Sequence, residues 1–186
     1  VSQAIVDLAR ALDFAARKHR DQRRKGAAAE PYINHVTEVA RLVAEATGGT
    51  DAVSVVGALL HDTIEDTHTT PAELEREFGP EVAALVAEVT DDKKLPKDER
   101  KRLQVEHAPH KSARARMIKL ADKTSNLRSI AMSPPLDWDL ARQHAYFEWA
   151  ARVVAGCRGV NAELEARFDE AYEAGLRAIA ERDRTS

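Results

Sequence analysis

Cysteine is nearly absent from this chain: Cys157 is the only one in 186 residues. A lone thiol makes no internal disulfide and matches no zinc-binding spacing, so a disulfide scaffold and a structural zinc domain are excluded. A reducing cytoplasm is the expected compartment. Long apolar runs are missing too. The longest, 52–60, falls far short of the roughly 20 residues that span a bilayer. Asp7 and Arg10 interrupt the apolar residues at the start, so no signal peptide is expected. The opening Val1 in place of Met is expected to reflect processing or trimming and carries no functional message. Aromatics amount to 5%, too few for a base-stacking platform along single strands. Nor is there an excess of positive charge. The formal net charge is −3, which gives the molecule no general attraction for nucleic acid.

What is present is ordinary for a water-soluble fold, with 44% hydrophobic and 32% charged residues. The length suits one compact domain over residues 1–186, and no repeat or linker divides it. Helical spacing dominates. Ile5, Leu8, Leu12 and Ala15 predict one buried stripe, and Val36, Val39, Ala40 and Val43 a second, with Asn34 as N-cap and Gly48-Gly49 as stop. Thr70, Pro71 and Glu73 form a capping box ended by Gly79-Pro80, after which Val82, Leu85, Val86 and Val89 begin the next helix. Further helices are predicted near 97–107, 112–130, 138–155 and 161–182, with breaks at Pro134-Pro135 and Gly156 to Gly159. No alternating β run appears. The expectation is an all-α bundle of about eight to ten helices.

The segment 52–60 is apolar on nearly every side and is predicted to run straight into His61, Asp62, Thr63, Ile64, Glu65 and Asp66. Continued helically, that spacing puts much of the acidic group on one face. Three carboxylates there repel one another and sit at the negative end of the helix dipole. A bound divalent cation reverses both penalties, whereas a helix that surfaces here leaves the acids simply solvated. On spacing alone both readings stand. Two other residues bear on the choice: His35, and Asp122 with Asn126 one turn later on the same face. With His61 and Asp62, these supply two imidazoles and two carboxylates, a set suited to Mn²⁺ or Fe²⁺, with Zn²⁺ an option, and with positions left open for water and a phosphate oxygen.

Basic residues gather twice, at Arg17, Lys18, Arg20, Arg23, Arg24 and Lys25, and at Lys93, Lys94, Lys97, Arg100, Lys101 and Arg102. Charge alone favours solvated helix ends and leaves a pocket for a small polyanion open.

An isolated histidine, an adjacent His-Asp pair and a distant Asp in an all-α chain resemble the HD phosphohydrolase superfamily. Five blocks narrow this: RRKGAAAEPYINH (23–35), GALLHDTIEDT (57–67), VTDDKKLPKDERKRLQVEHAPHKS (89–112), KLADKTSNLR (119–128) and YFEWAARVV (146–154). In that order they resemble the hydrolase domain of RelA/SpoT enzymes, above all its stand-alone form, the small alarmone hydrolases. The resemblance implies an HD-domain bundle with one Mn²⁺ per chain on His35, His61, Asp62 and Asp122. It implies Glu65 and Asp66 as the pair that positions and deprotonates water, and Arg24 and Asn126 as holders of the scissile diphosphate. Lys25 would line the nucleotide pocket, and Lys97, Arg142 and Tyr146 would contact the other phosphate or the base. The segment Lys123-Thr124-Ser125 departs from relatives, so base preference is expected to be tuned there, where Ser125 and Ser129 flank the face of Asn126.

The implied activity is hydrolysis of the 3′-diphosphate of (p)ppGpp to GDP or GTP and pyrophosphate, with Arg24 neutralising phosphate charge and residues 93–102 serving the 5′-phosphates. Within the same class, (p)ppApp hydrolysis and removal of the 2′-phosphate of NADPH are alternatives. A general nucleotide 5′-phosphatase fits poorly with Arg24-Lys25 and TDDKKLPK. A catalytically silent nucleotide sensor is expected to have a broken His-Asp or Glu-Asp pair, and both are intact. A nucleic-acid-binding helical module on the basic run 17–25 is the remaining alternative. Neither a membrane nor an obligate protein partner is called for. No synthetase or regulatory domain follows before Ser186, so the chain is expected to act as a constitutive sink. His107 and His110 are expected to be structural, and His19, His68 and His144 have no motif support. Trp138, Phe147 and Trp149 are expected to anchor the core, Trp138 beside a loop that could equally expose it.

Overall fold

The helical spacing of apolar residues resolves into ten α-helices among the described residues, 2–185 of a computed structural model; Val1 and Ser186 lie outside them. In chain order they are α1 (Gln3–Lys18), α2 (Ile33–Ala46), α3 (Ala52–Leu60), α4 (Thr63–Asp66), α5 (Pro71–Phe78), α6 (Pro80–Val89), α7 (Lys97–His107), α8 (Ala113–Met132), α9 (Leu140–Ala155) and α10 (Ala162–Thr185), with a 3₁₀ turn at Ala108–His110. The fold is all-α, as expected.

Several ends are written locally. Thr70 Oγ1 accepts from the Glu73 N–H at 3.2 Å with Pro71 in the first turn, and Gly79 turns into α6 at φ 85°. The expected Asn34 cap does not form. α2 already begins at Ile33, and its entry is fixed by backbone pairing, Arg24 N–H to Glu30 O at 2.8 Å and Tyr32 N–H to Gln22 O at 3.0 Å. The first-turn donors are met by backbone carbonyls instead of a side-chain cap, Asn34 N–H by Pro31 O at 3.1 Å and His35 N–H by Tyr32 O at 2.9 Å.

The α1 stripe also needs correction. Ile5, Leu8 and Leu12 are 62%, 39% and 42% exposed, and of the expected stripe only Ala15 is buried. The face that packs is Ala11, Phe14 and Ala15, because only the C-terminal part of α1 is covered and Phe14 meets Phe78 edge-on at 5.3 Å.

α3 and α8 are the central helices: α3 packs on α1, α2, α6 and α8, and α8 on α2, α6, α9 and α10. Leu60, Leu120 and Leu127 are fully buried, each worth roughly 1.5–3 kcal/mol by area removed from water. Side chains carried by the end of α3 and the middle of α8 are therefore held by densely packed, central helices. The loop 19–32 is pinned across them by isolated β-bridges, Arg23 with Pro31 and Gly26 with Pro135. Gly26 is required for that approach, since a Cβ there would run into the Ser133 carbonyl and lie 2.6 Å from its Oγ.

Candidate active site

The end of α3 is where the sequence expected a straight helix, and here the chain breaks. Asp62 adopts φ −100°, ψ 0°, and the Thr63 hydroxyl donates to Leu60 O at 2.7 Å. α4 is then a separate single turn, so the acids do not share one helical face. The break turns Asp62 back towards His61, whereas Glu65 and Asp66 open onto a cleft.

His35, His61 and Asp62 bring one ligand atom each to within 4.8 Å of one another. Asp122 joins them from α8: its Oδ1 lies 3.4 Å from His35 Nε2 and 3.9 Å from His61 Nε2. Each of the four has a partner behind it. His61 Nδ1 donates to Ala58 O at 2.8 Å, Tyr32 Oη donates to Asp62 Oδ2 at 2.6 Å, and His35 Nδ1 lies 2.9 Å from Ser125 Oγ. Lys123 Nζ holds Asp122 Oδ2 at 2.9 Å, and Asn126 Nδ2 donates to Asp122 Oδ1 at 2.7 Å.

This set fits a divalent cation. With its proton on Nδ1, neutral His61 presents a bare Nε2, which is buried without a hydrogen bond although Asp62 Oδ2 lies 3.0 Å away. A lone pair facing a carboxylate needs positive charge between them. Without a metal a proton must supply it: burial pushes the His61 imidazolium down, but Asp62 and Asp122 outweigh burial and raise it to about 9. Burial likewise raises the Asp62 and Asp122 carboxyls, yet His61 beside the first and Lys123 beside the second hold both well below the usual range. Two imidazole nitrogens and two ionised carboxylates are donors for Mn²⁺-like ions.

Beside this cluster two cavities of about 450 and 510 Å³ share Lys25, Glu65, Asp66, Lys93, Trp138 and Tyr146, and so form one cleft. Burial, followed by the charges of Asp91 and Asp62, raises the Glu65 carboxyl. Asp66 accepts from Gln22 Nε2 at 2.9 Å and pairs with Lys93. Arg100 approaches Glu65 at 3.7 Å. Lys97, Arg142 and Tyr146 line the first cavity, Arg24 and Asn126 the second, and Arg24 Nη2 donates to Asn126 Oδ1 at 3.0 Å. Every residue named for the site in the sequence thus falls on this cluster or its cleft. The basic groups divide: Arg17, Arg20 and Arg102 make surface ion pairs, whereas Arg24, Lys25, Lys93, Lys97, Arg100 and Lys101 face the cleft.

Some readings change. Lys123, Thr124 and Ser125 are buried, and Ser125 faces His35 rather than the cleft, whereas Asn126 and Ser129 line the second cavity. Phe147 and Trp149 are core residues, but Trp138 is half-buried, carries the Arg142 guanidinium 4.9 Å over its ring and lines the cleft. His107 and His110 are exposed and line none of this cleft. His19 had no motif to mark it and is buried nonetheless, its Nδ1 2.7 Å from Gln22 Oε1. Gln22, Tyr32 and Glu38 were also missed as partners of site residues. Gln22 is 44 residues from Asp66, a separation no local pattern reveals; Glu38, one turn after His35, was readable in principle.

The HD domain family model matches residues 11–167. The chain is 57% identical over 160 residues to the human guanosine-3′,5′-bis(diphosphate) 3′-pyrophosphohydrolase MESH1, covering 86% of this chain and 89% of that protein. It is 52% identical over 162 residues to the Xenopus tropicalis protein of the same name, covering 87% and 90%. A solved structure described as a metazoan ortholog of SpoT that hydrolyzes ppGpp and plays a role in starvation responses superimposes with a TM-score of 0.86 at 47% identity, over 90% of this chain and 94% of that one.

Proposed function

The chain belongs to the HD-domain family, among the RelA/SpoT-type hydrolases, and from that membership we propose that it removes the 3′-diphosphate of (p)ppGpp. The products are pyrophosphate and GDP or GTP. The observation that carries this reading is the cation-demanding His61 Nε2, set beside Glu65 and Asp66 under a cleft lined with lysine and arginine. A silent sensor needs none of that acid chemistry.

In this reading residues 1–186 act as one hydrolase domain, and His35, His61, Asp62 and Asp122 hold one Mn²⁺. When bound, the ion supplies Lewis acidity, making water more acidic and offsetting charge on phosphate oxygens. Glu65 or Asp66 takes the proton of the attacking water; the raised Glu65 carboxyl makes its ionised form a stronger proton acceptor than an ordinary carboxylate. The water oxygen bonds to the phosphorus carried by the 3′-oxygen, the bond between them breaks, and the electron pair and a proton go to the 3′-oxygen. Arg24 and Asn126 grip the diphosphate, Arg24 through its planar fork. Lys25 lines the nucleotide pocket, and Lys97, Arg142 and Tyr146 receive the far phosphates or the base. Lys93 pairs with Asp66 now and exchanges that partner for phosphate when substrate enters.

No helix among the described residues is long and apolar enough to cross a membrane. Cytoplasmic residence is part of the proposal, supported by the buried free thiol of Cys157, and the chemistry requires no protein or nucleic-acid partner.

The test is turnover of purified protein on ppGpp, ppApp and NADPH with added Mn²⁺, resolved by anion-exchange chromatography. Conversion of ppGpp to GDP and pyrophosphate as the fastest reaction is expected. Faster release of phosphate from NADPH, or of pyrophosphate from ppApp, reassigns the substrate; silence on all three with metal bound overturns the proposal.

A further inference from the structure

Behind His35 lies a hydrogen-bond chain whose proton order can be worked out. Ser125 Oγ is 2.6 Å from Glu38 Oε2 and 2.9 Å from His35 Nδ1. A serine hydroxyl has one proton to give. Burial pushes the Glu38 carboxyl up, but hydrogen bonds from Ser125 and Arg128 outweigh it and keep Glu38 ionised, able only to accept. The Ser125 proton therefore points at Glu38. Only lone pairs of Oγ remain for the imidazole, so His35 Nδ1 is the donor. In the neutral ring the bare nitrogen is then Nε2, the atom 3.4 Å from Asp122 Oδ1 and 3.6 Å from Asp62 Oδ2.

The chain is anchored at its far end. Arg128 Nη1 donates to Glu38 Oε1 at 2.9 Å, so both carboxylate oxygens are engaged. Ser125 and Arg128 are successive positions on one face of α8, and Glu38 follows His35 by one turn of α2. Ser125 and Glu38 line neither cavity of the catalytic cleft; they border a neighbouring one of about 530 Å³ against α10, which adjoins the cleft at Arg24 and Ser129.

We propose that Ser125 and Glu38, anchored by Arg128, are positioning residues that fix the tautomer and ring orientation of His35 and so set the affinity of the site for its cation. This rests on the reading of His35 as a metal ligand. The two histidines differ in this respect. His61 is oriented by the Ala58 carbonyl, which no substitution removes, whereas His35 depends on side chains. An outer partner of a ligating histidine is typically worth 10–100-fold in metal affinity. Because the relay stands away from Glu65 and Asp66, its loss raises the Mn²⁺ concentration needed for turnover far more than it lowers kcat at saturating Mn²⁺.

The experiment compares the full chain with Ser125→Ala, Glu38→Ala, the double variant and Ser125→Thr. Mn²⁺ affinity is measured by calorimetry on metal-stripped protein, and the His35 tautomer by long-range ¹H–¹⁵N NMR without metal. Ser125→Ala and Glu38→Ala are each expected to weaken Mn²⁺ binding by about 10–100-fold. The double variant should be no weaker than Ser125→Ala, because Glu38 acts only through the hydroxyl, and Ser125→Thr should recover most of the loss. The NMR signature of Nδ1–H should be present in the unaltered chain and lost in Ser125→Ala. Affinities within twofold of the unaltered chain in both single variants, or losses that add in the double, overturn the relay. Failure of the unaltered chain to bind Mn²⁺ removes the ligand reading instead, and the tautomer measurement then decides the relay by itself. Glu38 is partly exposed, so Glu38→Ala reads the relay even where Ser125→Ala does not fold.

Discussion

The backbone N–H of Asp91 donates to Glu65 Oε2 at 3.3 Å, while the Asp91 carboxylate, after burial, is the largest influence pushing the Glu65 carboxyl above its ordinary 4.5. One residue thus orients the acid through its backbone and raises its proton affinity through its carboxylate. A base acts only when ionised, so with Glu65 as the proposed base activity is expected to rise as pH passes its value. Removing the Asp91 charge lowers that value, and Asp91→Asn is expected to move the acidic limb of the kcat/KM profile to lower pH. An unmoved limb would assign it to another group. The same shift has a stability consequence. Folded Glu65 binds its proton more tightly than the unfolded chain does, so its contribution to stability is complete below 4.5, declines as pH rises from there through the raised value, and is constant above it.

Arg24 is expected to act on charge that builds during the reaction. Its guanidinium is held by Asn126 at 3.0 Å and lies 5.8 Å over the Tyr32 ring, so it is already aimed when substrate arrives. Arg24→Ala should lower kcat by about 10²–10³-fold, the usual cost of one lost transition-state donor. Steady-state kinetics check this; a rise in KM with kcat intact would make Arg24 a ground-state binding group only.

Gly26→Ala should damage the same loop without touching a charged residue. Its new Cβ has no room beside Ser133, so the bridge to Pro135 must open and carry Arg24 and Lys25 with it. A loss of kcat/KM of about tenfold or more is expected from such a displacement, with the thermal midpoint little changed because the core helices are untouched. Normal kinetics would show that the bridge is dispensable.

Loading the site with metal should release a proton. In the metal-free chain the His61 imidazolium persists up to about pH 9, whereas a ligand must present a bare Nε2. Calorimetry at pH 7.5 in buffers of different ionisation enthalpy is expected to show about one proton released, vanishing above pH 9. The metal-free chain should also lose stability with rising pH. The folded value of His61 lies above its unfolded 6.5, so its contribution is complete below 6.5 and lost as pH rises through about 9. A flat unfolding free energy between pH 6 and 10 would count against the coupling.

Much of this architecture is legible in the sequence because it depends on local periodicity. The Val36–Val43 stripe, the Thr70 cap and the Gly79 turn are all where spacing places them. Position on α8 likewise joins Asp122 to Asn126. What escaped depends on long-range packing. Ile5 and Leu8 follow helical spacing as well as Val39 does, yet no element covers them. The break at Asp62 is fixed by a bond from Thr63 back to Leu60, which composition does not announce. Ser125 reads as a flank of the Asn126 face, where base preference is expected to be tuned, until α2 brings His35 and Glu38 against it.

In the proposed mechanism a cation on His35, His61, Asp62 and Asp122 and a separate acid pair, Glu65 and Asp66, divide the chemistry between them. The most direct measurement is ppGpp turnover with Mn²⁺ stoichiometry for metal-stripped and Mn²⁺-reloaded protein, Asp62→Ala and Asp66→Ala. One Mn²⁺ and full turnover are expected in the reloaded chain, neither in Asp62→Ala, and in Asp66→Ala one Mn²⁺ with most turnover gone. Turnover by metal-stripped Asp62→Ala, or an active Asp66→Ala, would contradict that mechanism.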